Sequence, residues 1–224
     1  MSPWLLFVLA PILLGLVAQR RVDATFSRFS GVPNGAGLAG CDVANRILSA
    51  NGLEGQVHVM SSVGALTDHY DPRERVVHLS EPVFQERSVA AAAVAAHEVG
   101  HALQHAAASR PFRLRSRLWP LASFASNTWF VLLLLGALLG ALGLVGVALA
   151  LFAAVVVFQL VTLPVELDAS RRARQQLAEL ELLAEPREAA GAARVLRAAA
   201  FTYVAAALAS ALLLLYYLGV FHRT

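Results

Sequence analysis

Three stretches of this chain contain no charged side chain and are long enough to cross a lipid bilayer. They cover residues 1–19, the region between Arg117 and Glu166, and residues 198–221. A bilayer core about 30 Å thick needs roughly 20 apolar helical residues, so the second stretch is long enough for two spans. Four glycines in its middle allow the chain to turn back: Gly136, Gly140, Gly143 and Gly146. The pattern therefore predicts an α-helical multi-pass membrane protein.

Composition supports this fold class. Of the 224 residues, 58% are hydrophobic and 15% are charged, and the mean hydropathy is +0.61. The net charge is +3, but the basic residues flank the apolar stretches and form no stripe with interleaved aromatics, so no nucleic-acid partner is expected. Cys41 is the single cysteine and cannot form an intramolecular disulfide. The lipid bilayer is the expected partner.

Arginine clusters indicate how the chain is oriented, because cytoplasmic flanks of membrane spans are enriched in Lys and Arg. The clusters contain Arg20 and Arg21, then Arg113, Arg115 and Arg117, then Arg171, Arg172 and Arg174. All of them fall on one side of the predicted spans. We therefore predict an N-terminal transmembrane anchor at 1–19, cytoplasmic segments at 20–117 and 166–197, a transmembrane hairpin at 118–165, and a C-terminal transmembrane helix at 198–224.

The first cytoplasmic segment has the pattern of a small α+β domain. Apolar residues at helical spacing over 38–50 predict a short helix that ends at Asn51-Gly52. Three β-prone runs follow, at 56–60, 65–70 and 75–80, separated by turn-forming residues. Ser88 is a predicted N-cap for an alanine-rich helix that runs to about Ala108, where Arg110-Pro111 is expected to end it.

This alanine-rich helix contains the sequence His97-Glu98-Val99-Gly100-His101. Histidines four residues apart on a helix project from one face, and they can bind one Zn²⁺ at distances of about 2.0–2.1 Å. The alternative is an unrelated pair of surface or core histidines. Gly100, between them, is expected to let another backbone approach the helix closely.

A catalytic zinc ion usually has a third protein ligand, which must come from another part of the chain. Glu166 is the best candidate, because an acid at a membrane edge is costly without a partner. Asp168 competes with it on the residues alone. His105 lies one turn beyond His101, but a fourth protein ligand would close the site, so we expect it beside the ligands or at the surface.

Several blocks of sequence resemble the YugP-like family of membrane neutral zinc metallopeptidases. The blocks are Leu66-Thr-Asp-His-Tyr-Asp-Pro-Arg73, Val94-Ala-Ala-His-Glu-Val-Gly-His-Ala-Leu-Gln104, Val161-Thr-Leu-Pro-Val-Glu-Leu-Asp-Ala-Ser-Arg-Arg-Ala173 and Ala198-Ala-Ala-Phe-Thr-Tyr-Val-Ala-Ala206. The resemblance implies a multi-pass protein of the bacterial inner (plasma) membrane, with a small zincin-like (gluzincin) α+β domain in the cytoplasm and one zinc ion.

A more distant resemblance, to the HtpX and prenyl-protein (CAAX) protease group, bears on the third ligand. Those enzymes use a glutamate in an E-x-x-x-D pattern on a later helix, and Glu166 falls at that glutamate. Ser170 stands where the group has an aspartate that orients a zinc-binding histidine. The orienting role is therefore open between Ser170, Asp168 and a water molecule.

The implied activity is hydrolysis of a protein or peptide substrate by a zinc-activated water, with Glu98 as the general base and His97, His101 and Glu166 as the metal ligands. The alternative is a catalytically inactive zinc-binding membrane adaptor or assembly factor. The oligomeric state is left open.

Two further features bear on how such a substrate would be held. The candidates for stabilising the oxyanion are His69, Tyr70 and His78, each of which has an alternative structural role. The run Val76-Val-His-Leu is a candidate open strand edge for an extended peptide.

Overall fold

A computed structural model of the chain describes residues 3–64, 67–183 and 185–221. It is mostly helical, with one small sheet. The elements are α1 (Pro3–Ser30), α2 (Gly40–Ala50), β1 (His58–Ser62), β2 (His69–Asp71), β3 (Val76–Ser80), α3 (Glu81–Gln85), α4 (Val89–Ala106), α5 (Arg110–Leu139), α6 (Leu142–Glu179) and α7 (Pro186–Phe221).

Long apolar helices dominate the second half of the chain. Among the described residues, three helices are long and apolar enough to cross a membrane: α5, α6 and the Pro186–Gly219 part of α7. A membrane protein is the class that fits them. Helix α1 runs without a break to Ser30, well past residue 19, and it is not among the three. The predicted anchor at 1–19 therefore stays a prediction, and Met1 and Ser2 lie outside the described residues.

Helices α5 and α6 form a helical hairpin whose turn is at Gly140. This glycine has a left-handed φ of 66°, which costs little without a Cβ, and its N–H donates to the carbonyl of Gly136. A Cβ on Gly136 would lie 2.8 Å from a side-chain carbon of Val145, so the two helices pack closely beside the turn. The expected glycine reversal is confirmed at these two positions, whereas Gly143 and Gly146 face open space.

The sheet has the strand order β1-β3-β2. Strand β1 runs parallel to β3, and β2 runs antiparallel to it. All three predicted strands are present with shifted or shorter bounds, and residues 65 and 66 of the second prediction lie outside the described residues. The expectation of an open edge at residues 76–79 is wrong, because β3 lies in the centre and is paired on both sides. The edge strands are β1 and β2.

Helix α4 is the buried element on which the domain is built. The Ser88 hydroxyl accepts a hydrogen bond from the Ala91 N–H at 3.1 Å, which confirms the predicted N-cap. The many alanines of α4 allow α2, α6 and α7 to pack around it. Arg110-Pro111 does not end this helix, which stops at Ala106. Instead Pro111 lies in the first turn of α5, where a backbone N–H is not needed.

Helix α6 passes directly from its apolar part into a polar end. It continues through Pro164 to Glu179, so the predicted boundary between residues 165 and 166 lies inside one helix. The predicted boundary at 197 and 198 lies inside α7 in the same way. Because α6 is continuous, it carries Glu166 rigidly against α4.

Candidate metal centre

Two histidines and one glutamate from two helices come together in the interior. His97 and His101 lie on α4 and Glu166 lies on α6, and one ligand atom from each residue falls within 4.8 Å of the others. The Glu166 Oε2 atom is 3.2 Å from His97 Nε2 and 3.5 Å from His101 Nε2. Both imidazoles therefore turn the same nitrogen toward one carboxylate oxygen.

These three residues could hold a divalent metal ion. All three are buried, and Glu166 is only 1% exposed. Its Oε2 atom and the two Nε2 atoms converge in a space that the protein closes off from solvent. Buried polar atoms need partners, and one cation between the three would satisfy all of them. Two imidazole nitrogens and one carboxylate are a donor set that fits a catalytic zinc ion, so the residues present suit the metal.

Glu98 lies beside the cluster and is also buried. Burial raises its pKa to about 7, with further contributions from the nearby carboxylates of Glu166 and Asp68, while His97 acts in the opposite direction. A carboxyl group with a pKa near neutrality can accept a proton and release it again at cellular pH. Glu98 is therefore a candidate general base next to the candidate ligands.

Ser170 holds the first histidine from behind. Its hydroxyl lies 3.2 Å from His97 Nδ1, on the side of the ring opposite Glu166. An Nδ1–H that donates to this hydroxyl would leave Nε2 free to bind a metal. Of the residues considered for the orienting role, Ser170 is the one that contacts His97.

Gln104 holds the second histidine, and sequence reasoning did not identify it. Its Oε1 lies 3.0 Å from His101 Nδ1, and its Nε2 donates to the Val165 carbonyl at 2.8 Å and to the Asp168 carboxylate at 2.9 Å. Gln104 is 1% exposed. The available signal was a buried-face polar residue three positions after His101 on an alanine-rich helix.

Asp168, the competing third ligand, lies outside the cluster of His97, His101 and Glu166. Its carboxylate accepts hydrogen bonds from Gln104, from Arg172 Nε at 2.7 Å and from Arg171. Asp168 therefore reaches His101 only through Gln104.

Arg115 is a second residue near the cluster that was not identified. One of its guanidinium nitrogens is 3.6 Å from Glu166 Oε1. In the sequence it was used only as an indicator of topology. The position of α5 beside α6 gives it this second environment, because the start of α5 packs near the polar end of α6.

The three candidates for oxyanion stabilisation make other contacts. The Tyr70 hydroxyl lies 2.9 Å from His105 Nδ1, and the ring of His69 stacks on that of His78 at 4.7 Å between β2 and β3. Their role toward an oxyanion stays a prediction. The His105 ring also stacks on that of Phe112, with 5.6 Å between the centroids. His105 lies outside the metal cluster, one turn of α4 beyond His101.

A cavity of about 710 Å³ opens next to the centre. We call it the basic groove. It is lined by residues 69–73, by His105, and by side chains from the first three turns of α5, including Arg115. Arg115 also faces Glu166, and Phe112 in the groove is 6.2 Å from the His101 ring. The groove therefore lies beside the candidate metal ligands, and two of its lining residues contact them.

Comparison with known proteins gives the family. A family model described as "Putative neutral zinc metallopeptidase" matches residues 4–222. A relative from Bacillus subtilis (strain 168), named "Putative membrane protease YugP", is 46% identical over 218 residues, which are 97% of this chain and 96% of that protein. No solved structure matches the chain. The chain belongs to the YugP-like family of membrane neutral zinc metallopeptidases.

Proposed function

We propose that this protein is a membrane-embedded, zinc-dependent endopeptidase that hydrolyses peptide bonds. The observation that carries the proposal is the convergence of two buried imidazoles and one buried carboxylate, from α4 and α6, beside the buried carboxyl group of Glu98. A metal site with a purely structural role would favour four protein ligands and would not need an acid beside the first histidine. The family description and the name of the relative agree with the proposal.

In this proposal His97, His101 and Glu166 hold one Zn²⁺. When bound, the ion polarises the substrate carbonyl and lowers the pKa of a water molecule. The protein keeps both imidazoles in one orientation through Ser170 and Gln104, whose oxygens lie 3.2 and 3.0 Å from the Nδ1 atoms. Fixed imidazoles bind a metal more tightly because less freedom is lost on binding.

Glu98 moves the proton. Its carboxylate accepts a proton from the attacking water and delivers it to the nitrogen of the leaving amine, so the peptide bond breaks into a carboxylate and an amine. The buried surroundings that bring its pKa to about 7 suit both halves of this transfer. They also limit the access of bulk water to the reaction.

The proposal includes a location. Three apolar helices and the arginine clusters at their ends support a multi-pass protein of the bacterial inner membrane, with a small zincin-like α+β domain and its active site on the cytoplasmic side. Arg113, Arg115 and Arg117 line the basic groove, so a substrate in the groove would lie against this basic face.

The experiment is a comparison of full-length protein, purified in detergent and loaded with zinc, with its Glu98→Gln variant. Glu98→Gln should keep the zinc content of the wild type and lose about 10²–10⁴-fold of the rate on a denatured protein substrate, because the proton acceptor is gone. Glu81→Gln is the matched control, since Glu81 is exposed on α3, and it should keep full activity. Equal rates for wild type and Glu98→Gln would contradict the mechanism. Zinc binding with no hydrolysis by the wild type would favour the adaptor function.

A further inference from the structure

The basic groove contains more arginine side chains than carboxylate partners for them. Four arginines line it: Arg73, Arg113, Arg115 and Arg117. Arg115 faces Glu166, but in the described part of the chain no carboxylate forms a salt bridge with any of the other three. The groove therefore offers cationic groups that are available to a ligand.

The acidic side chain in the lining, Asp71, offsets only part of this positive charge. Asp71 uses its Oδ1 atom to accept hydrogen bonds from the backbone N–H groups of Arg73, at 2.7 Å, and Glu74, at 3.2 Å. These bonds hold the turn after β2 in place. Asp71 keeps its negative charge and attracts Arg73, but four arginines outnumber it in the lining, so an incoming anion would meet a net positive groove.

The remaining lining is aromatic. Tyr70, His105, Phe112 and Trp119 line the groove, and Trp119 is 54% exposed. Phe112 lies between the rings of His101 and His105, with centroid distances of 6.2 and 5.6 Å. The aromatic lining contacts the ring of His101, so the basic groove lies next to a candidate metal ligand.

One wall of the groove favours a peptide over a lipid headgroup. Residues 69–71 of this wall form β2, one of the two edge strands of the sheet. An edge strand presents main-chain N–H and C=O groups that an extended peptide can bond. A headgroup phosphate would use the arginines but not the main-chain groups of a strand edge.

We propose that the basic groove binds the part of the substrate next to the cleaved bond and selects peptide segments that carry acidic side chains. This inference rests on the proposed endopeptidase function and adds a substrate class to it. Opposite charges across a binding surface contribute mainly specificity, because acidic segments gain attraction while basic ones are repelled.

Binding can be measured without catalysis. We would use the zinc-loaded, full-length Glu98→Gln variant in an uncharged detergent and three short fluorescein-labelled peptides that differ at two central positions, which are Glu, Gln or Lys. Fluorescence anisotropy should show the Glu peptide binding at least about fivefold more tightly than the Gln peptide at low salt, with the Lys peptide weakest. The difference should shrink as salt is added.

Two double variants assign the effect to the groove. Arg113→Gln with Arg117→Gln should abolish the preference for the Glu peptide. The control variant, Arg46→Gln with Arg174→Gln, removes the same amount of charge from exposed positions outside the groove. It should retain the preference for the Glu peptide. Arg73 lies outside the long helices, so Arg73→Gln gives an independent check. This variant should weaken the preference for the Glu peptide. Equal affinity for the three peptides, or a preference unchanged by the groove variants, would overturn the proposal.

The lipid alternative has its own measurement. Binding of the purified protein to nanodiscs of phosphatidylcholine, with and without phosphatidylglycerol, would be compared for the same variants. If the groove arginines affected only the response to phosphatidylglycerol and not peptide binding, the groove would be a headgroup site and the proposal would be wrong. If the peptide preference were present but the zinc-loaded wild type hydrolysed no substrate, the endopeptidase function alone would be overturned.

Discussion

Gly100 of α4 lies against the backbone of Ala169 in α6 so closely that a Cβ on Gly100 would be 2.7 Å from the Ala169 carbonyl oxygen. This confirms that the glycine between the histidines permits a close backbone approach. Ala169 lies between Glu166 and Ser170, the two α6 residues that face the α4 histidines. The separation of the two helices at this contact therefore sets the geometry of the candidate metal centre.

Gly100→Ala should push the helices apart and weaken metal binding. Although alanine has a higher helix propensity by about 1 kcal/mol, the backbone it would meet cannot give way easily, and overpacking of this kind costs typically about 1–3 kcal/mol. We expect a lower unfolding temperature and at least tenfold weaker zinc binding, about 1.4 kcal/mol, measured by competition with a chromogenic chelator. Gly143→Ala is the control, because a Cβ there meets open space. Identical zinc affinities in the two variants would show that the close contact does not control the site.

Gln104→Ala should weaken zinc binding without removing a ligand. The variant leaves His101 Nδ1 without its partner and breaks the bonds to Val165 and Asp168. Loss of a group that orients a metal-binding histidine typically costs about 10–100-fold in metal affinity or activity. Chelator competition measures the affinity, and Gln85→Ala on the exposed end of α3 is the control. If Gln104→Ala bound zinc like the wild type, the amide would have only a packing role.

Glu166→Ala and Asp168→Ala should differ in metal content. Glu166 faces both imidazoles, whereas Asp168 reaches the site only through Gln104. After dialysis against a weak chelator, mass spectrometry of metals should find little zinc in Glu166→Ala and near-normal zinc in Asp168→Ala. The opposite pattern would mean that Asp168 is the third ligand.

Local patterns in the sequence predicted more of the candidate site than of the fold. His97, Glu98 and His101 could be proposed because four-residue spacing on one helix fixes their relative positions. Glu166 needed both the cost of an acid at a membrane edge and the family resemblance. Its proximity to the histidines depends on how α6 packs on α4, which the sequence alone does not specify.

The features that were missed depend on non-local packing. The parallel pairing of β1 with β3 puts β3 in the centre of the sheet, and the β-prone residues at 75–80 do not encode strand order. Arg115 was interpreted only as a signal of membrane orientation. Its position beside Glu166 depends on where α5 begins and on how α5 packs against α6. Helix α6 continues through Pro164, and the predicted membrane boundary at residues 165 and 166, which lies within this helix, stays a prediction.

The most direct test of the central claim is X-ray absorption spectroscopy at the zinc edge, on full-length protein containing one equivalent of zinc. The account predicts two imidazole nitrogens at about 2.0–2.1 Å together with oxygen ligands and no sulfur. One imidazole should be lost in His97→Ala and likewise in His101→Ala. A spectrum with a sulfur ligand, or one unchanged by either histidine variant, would contradict the claim that His97, His101 and Glu166 hold the metal.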